Sequence, residues 1–541
     1  METESWDDKS DPSNDYPDPS DDYTADNPMS PDLASQLLSV AIYEREHLKL
    51  RLAELEKKIH SYREIVVPIS QLPEDTLREI FVRCITDQDA SFEPRLTRCL
   101  PKPVPMCLAQ VCSSWRSVAM SMPALWSTLY IRFHPDRTDH IRITCAQAYE
   151  WLARSGTLPL TILVDTSMNL GRLDDDEDII LFIKSLIRYS HRCRILRFTC
   201  PCTWLGSWIS VSPADVPILR AFEYRHLFHW KISRSDVYTL WSSLKLLSAA
   251  SLREVSLIIP HIPPEYDMPR LLPLDHVAFA TLTQLHLRTG HASLVEMWHI
   301  LNCCPQLEQC LLAPGRRNPT NNASIPEGST LILPNLTTLR LHDTRGSLNE
   351  APEFFSQLDL PSLDSFQLFT VYTNAPWENM ECCLRVTDLC IESCKLVNRT
   401  LRDLLRGNHF IRRLRLATSQ GSEEVLPYLF PDPDTPEQML CPQLETLEID
   451  KFSSWSTSDL ITLLTTRLRL RQVFLDIEDV DMSLLQKLED LESTLPVRVS
   501  ITCKTLERHY SEYYGRHERL VQYPEWPLSE WELTGGTLLS E

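Results

Sequence analysis

A short apolar motif recurs along most of this chain, with two apolar residues three positions apart and a third two positions later. Eleven copies occur at a mean spacing of about 28 residues, and LPLTILVD from Leu158 is an earlier candidate strand. Side chains two positions apart lie on one face of a strand, so each copy predicts a short strand with three inward residues. Regular spacing of this length indicates stacked repeats. The copies begin at Cys193, Leu219, Leu252, Leu282, Leu307, Leu336, Leu363, Val386, Ile411, Leu444 and Leu470.

The segments between the motifs carry helical patterns. Apolar residues recur three or four positions apart from Leu294 to Leu301, from Leu401 to a Gly407-Asn408 stop, and again from Leu460. Proline stands two positions before five of the motifs, as expected at the first residue of a strand. These features predict an α/β solenoid of parallel strands with interleaved helices over residues 150–502, followed by a C-terminal tail at residues 503–541.

Residues that alternate with the inward positions face the other side of such a sheet, which we expect to be its concave side. Their mixed polar and charged character favours a protein ligand, although ordinary solvated strand faces explain each residue singly. We therefore predict a substrate-binding surface formed by Gln284, His286, Arg288, Thr338, Arg340, His342, Arg413, Arg415, Thr446 and Glu448.

The net charge of the chain limits the classes of partner that it can bind. Its formal net charge is −21, which disfavours nucleic acid and anionic membranes because both attract basic surfaces. Residues 1–31 hold ten acidic residues and one lysine, a composition typical of a disordered acidic tail, with an acidic interaction arm as the alternative. No signal-peptide pattern or long apolar run is present, and the 17 cysteines are scattered, so we expect an intracellular protein, cytoplasmic or nuclear, with reduced thiols.

Residues 32–65 predict one long amphipathic helix. Leu48, Leu52, Leu55, Ile59 and Tyr62 recur at alternating spacings of four and three. Leu37 and Ala41 fit the same seam before Glu44 interrupts it. Packing of this helix on its own domain is favoured over a short coiled-coil dimer because the clean heptads are few.

Residues 66–130 predict a small helical unit. Pro73, Glu74 and Asp75 suit the start of a helix, and an apolar stripe follows. A second stripe from Leu108 to Ala119 comes after a proline-rich loop. Two short helices make a weak core, so part of this apolar surface needs a partner within or outside the chain.

A search for catalytic and ligand-binding motifs finds none. The glycines form neither a dinucleotide fingerprint nor a phosphate loop, and the cysteines and histidines lack zinc-site spacing. The acidic run from Asp174 to Asp178 suits the start of a helix better than a cation site. We therefore expect no enzyme activity, no cofactor and no metal.

The helical unit resembles an F-box, and the repeats resemble degenerate leucine-rich repeats with helices, a combination found in fungal F-box proteins. The chain departs from these families in two places: the Asn or Cys expected after the strand motif occurs only as Cys394, and residues 86–105 form a long insertion. The F-box resemblance rests on Pro68, Ile69, Leu72, Pro73, Leu77, Ile80, Phe81, Leu108, Val111, Cys112, Trp115, Arg116, Pro123, Leu125 and Trp126.

The resemblance implies a substrate-recognition subunit of a cullin-RING ubiquitin ligase of the SCF type. The F-box would bind the Skp-type adaptor subunit and, through it, the cullin core, while the repeats hold an unknown protein substrate. Apolar anchors of this kind suit helix-in-groove binding, although Trp115 is expected to favour core packing. The alternative is a repeat scaffold without ubiquitination. The implied adaptor-binding residues are Pro68, Ile69, Leu72, Pro73, Ile80, Phe81, Leu108, Val111, Cys112 and Trp115.

Overall fold

The computed structural model forms two compact units, Met1–Ile80 and Phe81–Glu541. Among the residues it describes, no helix is both long and apolar enough to span a membrane. The described residues are 30–66, 72–86, 104–133, 141–166, 177–227, 240, 243–259, 277–289, 292–314, 325, 328–343, 351–370, 385–393, 404–418, 429, 440–452, 457–467, 469–477 and 498–503.

The first unit is dominated by one helix, α1 (Pro31–Val66), close to the predicted bounds of 32–65. Packing on its own domain would bury the apolar seam, but every described side chain from Ser30 to Tyr62 is exposed. That interpretation is therefore wrong for these residues. Ion pairs within the helix, such as Lys58 with Glu54 at 3.0 Å, surround the seam with solvated charge.

The predicted helical unit contains three short helices. Helix α2 (Glu74–Thr86) begins with two acidic residues in its first turn, which favour the positive end of the helix dipole. Helices α3 (Val104–Val111) and α4 (Ser113–Ser121) pack against each other. At their junction the Sγ of Cys112 accepts a hydrogen bond from the backbone N–H of Trp115 at 3.5 Å, which caps α4.

The second unit contains a 14-stranded, entirely parallel sheet, in the order β1-β2-β3-β4-β5-β6-β7-β9-β11-β12-β13-β14-β15-β16, and a separate pair of β8 with β10. Apart from β8 and β10, which form the separate pair, strands that are neighbours in the sheet are also consecutive along the chain, as in a solenoid. The strands are β1 (Thr128–Phe133), β2 (Leu160–Thr166), β3 (Cys193–Cys200), β4 (Ala221–His226), β5 (Glu254–Ile259), β6 (Gln284–Thr289), β7 (Gln309–Ala313), β8 (Leu331–Ile332), β9 (Thr338–Asp343), β10 (Leu358–Asp359), β11 (Ser365–Thr370), β12 (Asp388–Ser393), β13 (Arg413–Thr418), β14 (Thr446–Phe452), β15 (Gln472–Ile477) and β16 (Arg498–Cys503).

Helices and 3-10 turns make the described connections. A capping box between Ser293 and Glu296 starts the helix predicted from Leu294. Residues 404–407 are helical, and the predicted helix at Leu460 is also present. The 3-10 segments Leu186–Arg192 and Cys202–Ser210 show that some connections are tighter than α-helices. The helices are α5 (Ile141–Arg154), α6 (Glu177–Ser185), α7 (Leu294–Asn302), α8 (Ala351–Ser356) and α9 (Thr457–Thr466).

All eleven motifs correspond to strands, β3–β7, β9 and β11–β15, and the candidate at Leu158 corresponds to β2. The prediction of an α/β fold of parallel strands with interleaved helices is confirmed, and the arrangement is compatible with a solenoid. The sheet begins earlier than the predicted boundary at residue 150, because Trp126, Leu129 and Ile131 already follow the motif. Their burial places them in the same inward rows as the later repeats.

Trp126 joins the helical segment to the sheet within the second unit. It is fully buried, and its Nε1 donates a hydrogen bond to the carbonyl of Ala119 in α4 at 2.8 Å. Its ring packs edge-on against Trp151 of α5 with centroids 4.6 Å apart. The Nε1 of Trp151 donates to the carbonyl of Thr128 at 3.0 Å, which ties α5 to the start of β1. This joint therefore couples α4, α5 and β1.

We expect Trp126→Ala to lower the free energy of unfolding of the second unit by about 3–5 kcal/mol, because it removes a large buried ring. Trp126→Phe keeps much of the packing but loses the hydrogen bond, and should cost about 1–2 kcal/mol. Urea denaturation measures both changes. Met120→Ala, at an exposed position of α4, is the control. Equal effects of Trp126→Ala and Met120→Ala would contradict the assignment of the joint.

Candidate functional site

The candidate site is the outer face of the sheet, defined as the face opposite the buried inward rows. The strand register places each predicted surface residue beside at least one inward neighbour; Arg340, for example, lies between Leu339 and Leu341. All ten predicted residues occupy such outward positions of β6, β9, β13 and β14. They differ in accessibility, since Arg413 is exposed while Arg415 is buried.

Cross-strand ion pairs lie on both flanks of this face. Near one end, the Nε of Arg197 on β3 lies 2.5 Å from a carboxylate oxygen of Glu223 on β4, and both side chains are nearly buried. Near the other end, Arg415 on β13 lies 3.3 Å from Glu448 on β14. In each case the parallel register sets the two residues side by side. The flanks therefore carry paired charges.

Basic side chains occupy the centre of the outer face on alternate strands. They are Arg225 of β4, His286 and Arg288 of β6, and Arg340 and His342 of β9, here called the basic cluster. Adjacent strands lie about 4.8 Å apart, so the cluster extends over roughly 19 Å.

The strands between them carry small or apolar outward side chains. Ser256 and Ile258 of β5 and Ala313 of β7 are buried, and Leu311 of β7 is half-buried. At the level of the basic cluster, the outward positions of β5, β6, β7, β9 and β11 hold no carboxylate, whereas β4 carries Glu223, which is paired with Arg197. The arrangement alternates cationic and apolar strips, which suits a ligand with acidic groups and an aliphatic or backbone stem.

Burial determines the protonation of the two histidines. Burial, followed by charge repulsion from His342, Arg288, Arg225 and Arg340 when these groups are protonated, lowers the pKa of His286 from 6.5 to about 3. Burial, followed by Arg288 and Arg340, lowers the pKa of His342 to about 4. Both imidazoles are therefore neutral at pH 7, and the positive charge of the cluster comes from the three arginines. The Oγ of Ser256 and the Nδ1 of His286 are hydrogen-bonded at 3.2 Å.

The predicted adaptor-binding residues fall into two classes of burial. Phe81 and Trp115 are buried and pack edge-on with ring centroids 5.0 Å apart, and Leu108 is also buried. Leu72 and Cys112 are half-buried, whereas Pro73, Ile80 and Val111 are exposed, the last by 54%. Pro68 and Ile69 lie outside the described residues. The buried side chains hold helices in place, and the exposed ones are available to a partner.

The structure adds functional candidates that the sequence analysis left out. Arg197, Glu223, Arg225 and Ser256 occupy the same outward positions of β3, β4 and β5 as the predicted residues occupy in later strands. The motifs at Cys193, Leu219 and Leu252 already contain this signal. Extending the outward assignment to every motif would have found them.

No protein-family model matches the sequence, and the search of curated proteins finds no match either. The resemblance to F-box proteins with leucine-rich repeats therefore rests on the residues of the chain itself.

The lowered histidine pKa values predict acid sensitivity. An unfolded histidine takes up a proton near pH 6.5, whereas folded His342 does so near pH 4, so the unfolded state binds more protons in this window. Stability should therefore fall as the pH falls from 7 to 5, by about 2 kcal/mol for His342.

Urea denaturation at pH 7 and pH 5 tests this. His342→Gln should remove about 2 kcal/mol of the pH-dependent loss. Asn302→Gln, at an exposed position of the same unit, changes no titratable group; it is the control and should leave the loss unchanged. An unaltered pH dependence in His342→Gln would show that this imidazole is accessible to protons in the folded chain.

Proposed function

We propose that this protein is a non-catalytic substrate adaptor of a cullin-RING ubiquitin ligase of the SCF type. The F-box-like segment binds the Skp-type adaptor subunit, and the outer face of the sheet binds an acidic segment of a protein substrate. Ubiquitin transfer is carried out by other subunits, and the contribution of this chain is proximity. The observation that carries the proposal is a helical segment joined to a long parallel-repeat sheet through the buried Trp126.

Adaptor binding is supported by the two kinds of residue in the helical segment: buried ones stabilise the helices, and exposed ones can contact the adaptor subunit. Phe81 and Trp115 stabilise the helices by their edge-on contact, and Arg116 donates from Nε to the carbonyl of Ala109 at 2.9 Å, which bridges α4 and α3. With these residues internally engaged, the exposed Pro73 and Val111 are the better contact residues. Apolar residues exposed on short helices suit a partner that offers an apolar groove.

The joint at Trp126 supports a function in which two partners are held in fixed relation. A flexible linker would let a ligand on the sheet sample many positions relative to a partner on α3 and α4. Here the ring of Trp126 contacts Trp151, and the guanidinium of Arg154 lies 4.9 Å from the centroid of the Trp126 ring. Such a joint maintains the relative position of two bound proteins.

The basic cluster supports an acidic protein segment as the ligand. Arg225, Arg288 and Arg340 present guanidinium groups, which form bidentate hydrogen bonds with carboxylates and phosphates. The chain as a whole has a net charge of −21, which repels nucleic acid even where a local region is basic. A short acidic peptide segment can bind this region without burying many other charged groups of the chain.

Co-purification tests the ligase assignment. Tagged full-length protein should recover the adaptor subunit together with the cullin, and Leu72→Ala with Pro73→Ala should reduce recovery of both. Val111→Glu should act in the same way because it places a charge at an exposed apolar position. Leu181→Glu, on the exposed side of α6, makes the same change on a repeat helix and should leave recovery intact.

The co-purification results distinguish a ligase adaptor from a scaffold that acts without ubiquitination. Recovery of adaptor subunit without cullin would favour a scaffold that acts without ubiquitination. Recovery of neither, or normal recovery by all the variants, would refute the assignment of the helical segment.

Substrate-side binding can be tested with a fluorescein-labelled oligoglutamate peptide. We expect Arg288→Glu with Arg340→Glu to weaken its binding by at least about tenfold, since two attractive charges become repulsive. Arg188→Glu changes the same charge at an exposed 3-10 position and is the control. Because charge reversal also alters general electrostatics, equal loss in Arg188→Glu would show that the outer face is not the binding site.

A further inference from the structure

Helix α1 presents an apolar seam, interrupted once at Arg45, to solvent. The exposed fractions of Leu48 and Leu52 are both 58%, and that of Leu55 is 49%. The alternating spacing of four and three, continued toward the N-terminus, defines the a and d positions of a heptad repeat. Counted in this way, Leu38 rather than Leu37 belongs to the seam. The positions are Leu38, Ala41, Arg45, Leu48, Leu52, Leu55, Ile59 and Tyr62.

From Glu44 onward, the rest of the helix surface is largely charged or polar, as expected of a coiled-coil strand. A carboxylate oxygen of Glu46, which lies outside the seam, forms ion pairs with the side-chain nitrogens of Arg45 at 2.9 Å and of Lys49 at 3.1 Å. Tyr43 and Leu50 occupy f positions on the opposite side, and their exposed fractions, 75% and 73%, are the highest among the large apolar residues of the helix. Further exposed apolar residues outside the seam are Leu33, Leu37, Val40 and Ile42. The helix spans 36 residues, or about 54 Å, which is long enough for several heptads.

We propose that α1 pairs with α1 of a second copy of this chain as an antiparallel two-stranded coiled coil. The occupant is a second copy because the seam complements itself when the two helices run in opposite directions. Full overlap of the seam, which runs from residue 38 to residue 62, aligns residue 50 with residue 50 of the second copy. This inference does not depend on the proposed function.

Core pairing favours the antiparallel direction. In a parallel pair, each a or d residue faces its own copy, so Arg45 would face Arg45 and the small Ala41 would face Ala41. In the antiparallel pair, a faces d, so Arg45 faces Leu55 and Ala41 faces Ile59. Leu48 then faces Leu52. The antiparallel direction thus separates the two arginines and fills the space beside each alanine.

The acidic N-terminal residues favour the same direction. Residues 1–31 carry ten acidic residues and one lysine, and they immediately precede the seam. A parallel pair would bring two such segments to one end, where their like charges repel. An antiparallel pair places them at opposite ends, about 54 Å apart along the helices.

Sedimentation equilibrium of the full-length chain at micromolar concentrations tests the pairing. The expected mass is about 125 kDa, twice the 62.5 kDa of one chain. Leu52→Glu should return the mass to that of one chain. The matched control is Leu50→Glu, which makes the same change two residues away at an f position and should leave the dimer intact. A monomeric wild-type chain, a mass above two chains, or equal effects of the two variants would overturn the proposal.

The direction is tested by comparing two d positions. In the antiparallel pair, Leu55→Glu places a carboxylate opposite Arg45, whereas Leu48→Glu places one opposite Leu52. We therefore expect Leu55→Glu to weaken dimerisation at least about tenfold less than Leu48→Glu. Adding Arg45→Glu to Leu55→Glu should then abolish the dimer. Equal losses in the two single variants would overturn the antiparallel assignment.

Discussion

The structure depends on the stacking of inward side chains from one parallel strand to the next. Within one inward row, Leu285, Cys310, Leu339 and Phe366 follow one another on β6, β7, β9 and β11, and all are buried. A single strand with three apolar side chains cannot exclude water from them, so each repeat is stabilised by its neighbours. The spacing of about 28 residues reflects the length of chain needed to leave one strand and return parallel to it.

The same register that builds the core determines the chemistry of the outer face. Arg197 and Glu223 are far apart in the sequence, yet they become neighbours because their strands pair without a shift at that point. Buried ion pairs of this kind contribute little net stability, because desolvation offsets the attraction. Their consequence here is that paired charges lie on the flanks of the face, while Arg288 and Arg340 lie nearer its centre.

The sequence predicted the repeat strands well because their signal is local. Three apolar residues at fixed spacing suffice to identify a strand such as β9, and repetition identifies the stack. The first strand was missed because Trp126 also completes a helical segment, and a residue with two structural roles gives an ambiguous pattern. The basic cluster was predicted only in part: the motif at Leu219 already places Arg225 at an outward position, but only the pairing of β4 with β5 shows which side chains lie beside it. The exposure of α1 could not be predicted either, because a seam such as that around Leu52 looks the same whether it faces a core or solvent.

Trp126 also explains how a helical segment and a repeat sheet can act as one body within the second unit. Its indole donates to Ala119 in α4, while its position in the chain is the first inward residue of the motif that becomes β1. Movement of α4 relative to β1 would therefore break a buried hydrogen bond and separate two aromatic rings, that of Trp126 and that of Trp151. Buried donors without partners are costly, so such movement is resisted. A ligand on the outer face would consequently keep a constant distance from a protein bound to α4, which is the geometric requirement for any function based on proximity.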